Sequence, residues 1–303
     1  MKHKHTIWNE KYRPDILDNY ITSDEIKNIF QAYIDKQDIP HLLFAGRAGS
    51  GKTTLAKLIA KGIDCDLLYI NATDERSMDV IREKIGGFAS SASFKPLKIV
   101  ILDEATHLLM ASQVLLLNMI ETYSAKTRFI LTGNYPERLI DPLRSRLTEY
   151  ALVPPSKTII AQHIVRILEN EGIEYELEGV AEIVKKCYPD LRRTINTLQK
   201  CSTTGKLVVN INLKSNQNYI ELILEELSQP KPKFNTIRQI LANSDVSDYT
   251  ELFKSLYDNS SKYLKDKEGS VAVLVNEASY KANFSLDKEI NTAALISQII
   301  ELK

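Results

Sequence analysis

The strongest constraint on this chain is an eight-residue, glycine-rich segment between a short apolar run and a helical pattern. Gly46 to Thr53 fits G-x-x-x-x-G-K-[ST], and the apolar run His41 to Ala45 directly precedes it. In that context the glycines turn backbone N–H groups inward around phosphate oxygens, at a helix N-terminus that favours anions. The pattern predicts a phosphate-binding loop in which Lys52 reaches the terminal phosphates and the Thr53 hydroxyl binds Mg²⁺.

The first half of the chain alternates short apolar runs with helical patterns. The apolar runs after His41 to Ala45 are Leu67 to Ile70, Ile99 to Leu102 and Arg128 to Thr132, and the helical patterns are Thr53 to Gly62, Met78 to Phe88 and Ser112 to Tyr123. Short apolar strands that alternate with helices are typical of a parallel sheet covered on both faces. We therefore predict an α/β, doubly wound domain over residues 1–153.

From about Pro154 the strand signals fade and helical patterns take over. Ser156 is placed to cap a helix, and two further helices are predicted from Leu177 to Cys187 and from Leu191 to Cys201. The segment Ser228 to Lys233 contains two prolines and two lysines and has the composition of a linker. These features predict a small helical domain over residues 154–228 and a helical C-terminal domain over 229–303.

Composition excludes several classes of protein. The 39 basic residues balance the 39 acidic ones, so net charge gives no indication of a nucleic-acid partner. No run approaches the roughly 18 consecutive apolar residues that a membrane helix needs, so we expect no membrane association. The three cysteines are scattered, which favours a reducing compartment such as the cytoplasm over a disulfide framework.

Polar side chains follow two of the predicted strands. Asp103 and Glu104 end one apolar run, and Asn134 follows the next. At the end of a strand beside a phosphate-binding loop, Asp103 is suited to reach the hydrated Mg²⁺, while Glu104 is suited to orient and polarise an attacking water. Asn134 is suited to hydrogen-bond that water or the γ-phosphate. These residues predict an ATP-hydrolysing site that uses ATP and Mg²⁺.

Several segments together resemble the AAA+ ATPases of sliding-clamp loaders. They are the phosphate-binding loop, Asp103-Glu104, Asn134, and three short motifs: Trp8 to Pro14 (WNEKYRP), Ser145-Arg146 and Pro189 to Arg192 (PDLR). The likeness runs in order across residues 8–200 and is greatest to the ATPase subunit of bacteriophage clamp loaders and to replication factor C small subunits. It implies an AAA+ domain, a lid domain and a collar that joins subunits.

The resemblance implies roles for particular residues. Tyr12, Arg13 and Pro14 would border the adenine and ribose, Asn134 would be sensor 1, and Arg192 would be sensor 2. Arg146 would be an arginine finger that reaches the γ-phosphate held by the adjacent subunit. The expected nucleotide-binding set is Tyr12, Arg13, Pro14, Gly46, Gly49, Ser50, Gly51, Lys52, Thr53, Thr54, Asp103 and Arg192. Thr53 and Asp103 would hold Mg²⁺, and Glu104, Lys52, Asn134, Arg146 and Arg192 would act in hydrolysis.

The same resemblance implies partners. Arg76, Arg82 and Arg138 would track the phosphates of primer–template DNA, and Arg76 would also restrain Glu104 until DNA arrives. The loop from Phe88 to Phe94 would dock on a sliding clamp. The expected assembly is a ring or spiral of several different subunits, with a pentamer favoured, working in the cytoplasm or, for a phage protein, in that of the host cell.

Some positions depart from the family pattern, and two other functions stay open. The phosphate-binding loop lacks the family's prolines, no cysteine follows Arg146, and Thr106 replaces the aspartate that commonly follows Asp-Glu-Ala. One alternative is a helicase loader or branch-migration motor, which lacks the EKYRP segment and generally appends a winged-helix domain. The other is a structural subunit that binds nucleotide without hydrolysing it.

Overall fold

The chain divides into two compact units. The computed structural model describes residues 7–75, 77–209, 212–244, 246, 249–282, 284–285 and 287–303. The division between the units falls between residues 208 and 209. The N-terminal unit combines a sheet with helices, and the described residues of the C-terminal unit form helices only.

The N-terminal unit contains five strands and nine α-helices among its described residues. The strands are β1 (Leu42–Ala45), β2 (Cys65–Asn71), β3 (Leu97–Asp103), β4 (Thr127–Gly133) and β5 (Thr148–Ala151). The helices are α1 (Trp8–Lys11), α2 (Asp24–Asp35), α3 (Lys52–Gly62), α4 (Met78–Ser90), α5 (Met110–Tyr123), α6 (Asp141–Arg144), α7 (Lys157–Glu171), α8 (Leu177–Cys187) and α9 (Leu191–Cys201).

The five strands form one parallel sheet in the order β2-β3-β4-β1-β5. Every residue of β3 is buried, because helices cover both faces of the sheet. Alternate side chains of a strand point to opposite faces. Accordingly Ile99 and Ile101 pack in one core cluster with Leu55 of α3, whereas Val100 packs in the other with Leu116 of α5. The predicted doubly wound α/β fold is confirmed.

The order of the strands determines where a ligand can bind. The loop Gly46 to Gly51 follows β1 and leads directly into α3, and β1 pairs with β4, so that Ala45 lies opposite Gly133. The carboxyl ends of parallel strands meet at one edge of the sheet, where such folds bind ligands. The residues that follow β1, β3 and β4 therefore gather at the same edge.

The four strands and the six helices predicted for this unit are all present, within a few residues of the predicted bounds, whereas α2 was not predicted. Ser156 caps α7, since its Oγ accepts a hydrogen bond of 3.3 Å from the N–H of Ile159. Strand β5 was not predicted. It is a short edge strand whose side chains are mostly exposed, so its sequence carries no apolar run. The predicted boundary between sheet domain and lid at 153/154 stays a prediction.

The C-terminal unit begins earlier than its sequence suggests. Its described helices are α10 (Asn212–Ser228), α11 (Phe234–Asn243), α12 (Thr250–Asp258), α13 (Ser260–Tyr263), α14 (Glu268–Ala282) and α15 (Lys288–Glu301). Ile223 and Leu227 of α10 share a core with Ile237 of α11 and Leu256 of α12.

The proline-containing segment after α10 is a turn inside this unit. The backbone N–H of Lys233 donates to Glu226 Oε1 at 2.9 Å, and Lys303 Nζ donates to the carbonyl oxygen of Leu227 at 2.7 Å. The division observed after residue 208 thus differs from the boundary predicted at residue 228. The composition of Ser228 to Lys233 indicates a bend, and a bend occurs within a domain as readily as between two. Among the described residues, no helix combines the length and apolarity required to cross a membrane.

Candidate active site

A cleft in the N-terminal unit brings together the loop after β1, the N-terminal segment and helices α7 and α9. Its lining residues are Asn9, Tyr12, Arg13, Pro14, Asn19, Tyr20, Ile21, Ala48, Gly49, Ser50, Gly51, Lys52, Thr53, Thr54, Glu104, Pro155, His163, Leu191, Arg192 and Ile195. Most of the predicted nucleotide-binding residues therefore share one cavity. Gly46, Asp103 and Asn134 stand beside it and are joined to it by hydrogen bonds.

The loop after β1 needs glycine at two of its positions for steric reasons. Gly49 and Gly51 have φ angles of +77° and +88°, which other residues rarely adopt. A β-carbon on Gly49 would stand 2.1 Å from Oδ1 of Asp190, and one on Gly51 would stand 2.7 Å from the Tyr20 hydroxyl. The Oγ of Ser50 is buried without a hydrogen-bond partner among the described residues. The glycine-rich turn at the start of α3 and this unpaired hydroxyl make a cradle that suits phosphate oxygens.

Lys52 is buried at the base of this loop. Its Nζ donates to the carbonyl oxygens of Gly46 at 2.9 Å and Arg47 at 3.1 Å, and to Asn134 Oδ1 at 2.7 Å. Burial lowers the pKa of Lys52, the carboxylates of Glu104 and Asp103 counter that effect, and Arg192 adds to it. An anion in the cradle would raise the pKa again by favouring the charged amine.

Asp103 at the end of β3 accepts hydrogen bonds from three hydroxyl groups. Its Oδ1 accepts from Thr53 Oγ1 at 2.7 Å and from Thr132 Oγ1 at 2.5 Å, and its Oδ2 accepts from the Tyr69 hydroxyl at 2.7 Å. The two predicted metal-binding side chains, Thr53 and Asp103, are therefore in direct contact. Tyr69 and Thr132 were missed, because each belongs to an apolar strand pattern with no motif of its own.

Glu104 is held in place by the neighbouring strand β4. Its backbone is left-handed, with φ at +53°, and its N–H donates to Thr132 Oγ1 at 3.0 Å. The Nδ2 of Asn134 donates to Glu104 Oε2 at 3.4 Å, a long hydrogen bond. Asn134 thus contacts both Lys52 and Glu104, and the predicted carboxylate, amine and amide form one connected group.

The N-terminal WNEKYRP segment contacts two of the helices that follow residue 154. The Tyr12 hydroxyl donates to Glu171 Oε1 of α7 at 2.6 Å, and Asn9 Nδ2 donates to the carbonyl oxygen of Arg192 in α9 at 3.2 Å. Burial and then the contact with Glu171 raise the pKa of Tyr12. The WNEKYRP segment therefore closes one side of the cleft by tying it to both helices.

His163 of α7 also lines the cleft and was not predicted. Burial is the main effect that lowers the pKa of His163 to about 4, and the charge of Arg166 acts in the same direction. At neutral pH the cleft therefore contains an uncharged imidazole at this position. No sequence pattern marks it, since a histidine in an amphipathic helix is most often a packing residue.

Arg146 does not line this cleft. Its guanidinium contacts the Glu121 carboxylate of α5 and donates to the carbonyl oxygen of Pro142 at 3.1 Å. It lies instead beside a second, open pocket together with Tyr33, Asp38, His41 and Arg128. Arg192 lines the cleft and Arg146 does not, which is compatible with a finger that serves another subunit.

The residues predicted to meet DNA and a clamp lie outside the cleft. Arg82 and Arg138 are exposed, and the Arg138 guanidinium lies 4.7 Å from the centre of the Tyr135 ring. Arg76 lies outside the described residues. Phe94 is fully exposed at 109%, whereas Phe88 is half-buried in α4. The predicted clamp loop is therefore shorter than expected, since α4 continues to Ser90.

Gln113 is a further buried polar residue that sequence reasoning missed. Its Nε2 donates to the carbonyl oxygens of Leu108 at 3.1 Å and Arg138 at 3.2 Å, and its Oε1 accepts from the N–H of Ile140 at 2.9 Å. It fastens the start of α5 to the segment that follows Asn134.

Comparison with known proteins identifies the family. Residues 42–155 match the model of the ATPase family associated with various cellular activities (AAA), and residues 156–211 match that of the sliding-clamp-loader large subunit, AAA+ ATPase lid domain. Replication factor C small subunit of Aeropyrum pernix is 36% identical over 80% of this chain and 73% of that protein. That of Staphylothermus marinus is 31% identical over 97% of this chain and 94% of that protein. The chain belongs to the replication factor C small-subunit family.

Among solved structures, the Holliday junction branch migration motor RuvB of Thermotoga maritima shares the fold. It superposes with a TM-score of 0.57 at 18% identity and covers 82% of this chain and 91% of that one. Identity that low shows the architecture only, so the branch-migration alternative gains nothing from it. A replication factor C small subunit with a clamp-loader lid is a nucleotide-binding ATPase, and it works in a clamp-loader complex with other subunits.

Proposed function

We propose that this chain hydrolyses ATP with Mg²⁺ in order to load a sliding clamp onto primer–template DNA. ATP binding would let the complex engage and open the clamp, and hydrolysis would release it on DNA during replication. The observation that carries this proposal is the connected group of Lys52, Thr53, Asp103, Glu104 and Asn134 beside one cleft. These are the side chains that would bind Mg²⁺ and activate the attacking water within one subunit.

The residues at the proposed metal site fit Mg²⁺. The Thr53 hydroxyl and the Asp103 carboxylate are oxygen ligands, which Mg²⁺ prefers, and they already touch. In the described part of the chain no three His, Cys, Asp or Glu side chains group to hold a metal ion. That suits Mg²⁺, which takes one or two protein ligands and completes its shell with waters and phosphates. Bound there, it would neutralise charge that develops on the phosphates.

The remaining roles follow from position. Gly46, Gly49, Ser50 and Gly51 would form the loop that cradles the phosphates, and Thr54 would extend that contact into α3. Tyr12, Arg13 and Pro14 would enclose the base and ribose. Each of these eight residues except Gly46 lines the cleft.

In hydrolysis, Glu104 would accept a proton from the attacking water, which Asn134 would hold in line. Lys52 and Arg192 would balance the negative charge of the phosphates. Exchange of the Asn134–Glu104 hydrogen bond of 3.4 Å for contacts with that water requires only a small movement.

Phe94 is the residue that we propose meets the clamp. Ser93 Oγ donates to Asp66 Oδ2 at 2.6 Å and Lys95 Nζ to the carbonyl oxygen of Cys65 at 2.9 Å. The buried Lys98 Nζ donates to the carbonyl oxygens of Phe88 at 2.6 Å and Ser91 at 2.5 Å. Hydrogen bonds on both sides hold the loop while the Phe94 ring stays exposed. A residue on a loop that is already ordered loses less backbone entropy when its aromatic ring enters an apolar pocket of a partner.

Arg82 and Arg138 are the described residues that we propose contact DNA, with Arg76 as an untested third. Guanidinium groups bind phosphates without reading sequence. Few contacts per subunit suit a chain without net positive charge, because an assembly of several subunits multiplies them along the duplex.

The experiment that tests this function measures phosphate release by the complex that contains the chain. We expect a candidate sliding clamp and primer–template DNA together to stimulate turnover far more than either alone. A DNA motor would respond fully to DNA without the clamp, and a structural subunit would show no turnover at its own site. An Arg82→Ala, Arg138→Ala double variant should lose most of the DNA component and keep the response to the clamp.

A second experiment isolates the clamp contact. Phe94→Ala should weaken clamp binding in the presence of a non-hydrolysable ATP analogue by at least about tenfold, as expected for a hot-spot aromatic residue. Titration of labelled clamp would measure it. Leu177→Ala, which truncates an apolar side chain that is also exposed, should have no effect. If Phe94→Ala bound the clamp as well as wild type did, the docking surface would lie elsewhere.

A further inference from the structure

Asp103 has two carboxylate oxygens, and the structure uses them differently. Oδ1 accepts hydrogen bonds from Thr53 of the phosphate-binding helix and from Thr132 of β4. Oδ2 accepts from the hydroxyl of Tyr69, which stands on β2 on the other side of β3. Oδ1 thus contacts Thr53, the other proposed metal ligand, whereas Oδ2 is held by a donor that is not part of the proposed metal site.

The sheet brings Tyr69 to this position. β2 pairs with β3 so that Asn71 lies opposite Asp103, which puts Tyr69 two residues earlier and its side chain on the same face as that of Asn71. The ammonium group of Lys57 in α3 lies 4.3 Å from the centre of the Tyr69 ring. A cation over the ring is a favourable contact that fixes its orientation. The phenol is thereby aimed at Asp103.

Tyr69 contributes little to the core. Its side chain is 40% exposed on the edge strand β2, and it belongs to neither hydrophobic cluster described for the sheet. Its hydroxyl donates to Asp103 Oδ2 at 2.7 Å. The hydrogen bond to Asp103, rather than packing in the core, therefore accounts for the position of Tyr69.

We propose that Tyr69 is a positioning residue for Mg²⁺: by holding Oδ2 of Asp103, it leaves Oδ1 directed at the metal and its waters. This inference rests on the Mg²⁺ dependence proposed above. A carboxylate that is free to rotate presents its oxygens to the metal only part of the time. Outer partners of metal ligands are typically worth about 10- to 100-fold in metal affinity.

The test is Tyr69→Phe, which keeps the ring under Lys57 and removes only the hydroxyl. Binding of ADP to the full chain is measured by calorimetry in excess EDTA and across a Mg²⁺ series. For wild type we expect Mg²⁺ to strengthen ADP binding. In Tyr69→Phe that gain should fall about tenfold, toward the lower end of the usual range, while the affinity in EDTA stays unchanged. Mn²⁺ binding followed by electron paramagnetic resonance should weaken in parallel.

The control is Tyr33→Phe, which also deletes a phenolic hydroxyl. That hydroxyl hydrogen-bonds the Tyr150 hydroxyl at 3.1 Å, and Tyr33 does not line the cleft. It should behave as wild type in both conditions, and thermal melting checks that each variant is folded. An unchanged Mg²⁺ gain in Tyr69→Phe would overturn the inference. So would an equal loss of ADP affinity with and without Mg²⁺, because that result would make Tyr69 a part of the cleft wall. If Mg²⁺ did not strengthen ADP binding to wild type, the proposed Mg²⁺ site itself would be wrong, whatever the result for Tyr69→Phe.

Discussion

Glu104→Gln should leave ATP binding close to wild type and lower kcat by several orders of magnitude. The amide keeps the size of the carboxylate, and it still accepts a hydrogen bond from Asn134, but it cannot take a proton from water. Loss of a general base alone costs roughly 10²–10⁴ in rate. Retention of ATP on filters would measure binding, and phosphate release under saturating ATP would measure turnover.

Two further variants make this result specific. Lys52→Ala should lose nucleotide affinity, because Lys52 Nζ sits among the loop carbonyls and provides the charge that faces the phosphates. Glu25→Gln, at an exposed position in the first turn of α2, should change neither binding nor turnover. Near-normal turnover in Glu104→Gln would remove Glu104 from the reaction and leave the proposed site without its base.

Arg146→Ala should abolish ATP hydrolysis at the site of the neighbouring subunit. The subunit that carries the change should still bind ATP normally. Arg146 lies outside its own cleft, beside Glu121, so its effect is expected at the site of a neighbour. Arginine fingers are worth roughly 10³–10⁵ in rate where they have been measured. In complexes that contain several copies of the chain, mixing Arg146→Ala with Lys52→Ala subunits should recover some activity. Activity is expected at interfaces where Arg146 of a Lys52→Ala subunit lies against the intact phosphate-binding loop of an Arg146→Ala subunit.

Arg144→Ala provides the matched control. Arg144 is only two residues away, is comparably exposed and, like Arg146, pairs with a carboxylate of its own chain, since its guanidinium donates to Glu149 Oε2 at 2.8 Å. Removing it should leave turnover within a few-fold of wild type. A fully active complex that carries Arg146→Ala in every copy would contradict the trans role, and activity lost in Arg144→Ala would move that role to Arg144.

The alternation of strands and helices in the first half was predictable because it follows from local periodicity. Buried parallel strands are apolar throughout, as β3 is, and helices show their amphipathic spacing and caps, as α7 does with Ser156. The phosphate-binding loop was recognisable because its glycines, lysine and threonine are contiguous. Asp103 and Glu104 were recognisable because they end a strand of that kind.

Features that depend on contacts between distant segments were not predictable in this way. Strand β5 is exposed and short, so only its pairing with β1 defines it. Helix α10 joins the C-terminal unit through Ile223 and Leu227, whereas the prolines after it suggested a boundary. Gln113 and His163 look like ordinary helix residues until the backbone groups or cleft around them are known.

For this protein, the sequence by itself determined the α/β class, the phosphate-binding loop and the carboxylate pair, because each depends on residues that are adjacent or periodic in the chain. The tertiary structure alone decided that Tyr69 and Thr132, from the strands on either side of β3, both donate hydrogen bonds to Asp103. It also decided that Asn134 contacts both Lys52 and Glu104. Only the structure shows that Arg146 does not line the cleft. These arrangements depend on strand order and register. Hydrogen bonds between side chains from different strands appear only when the sheet has brought those strands together.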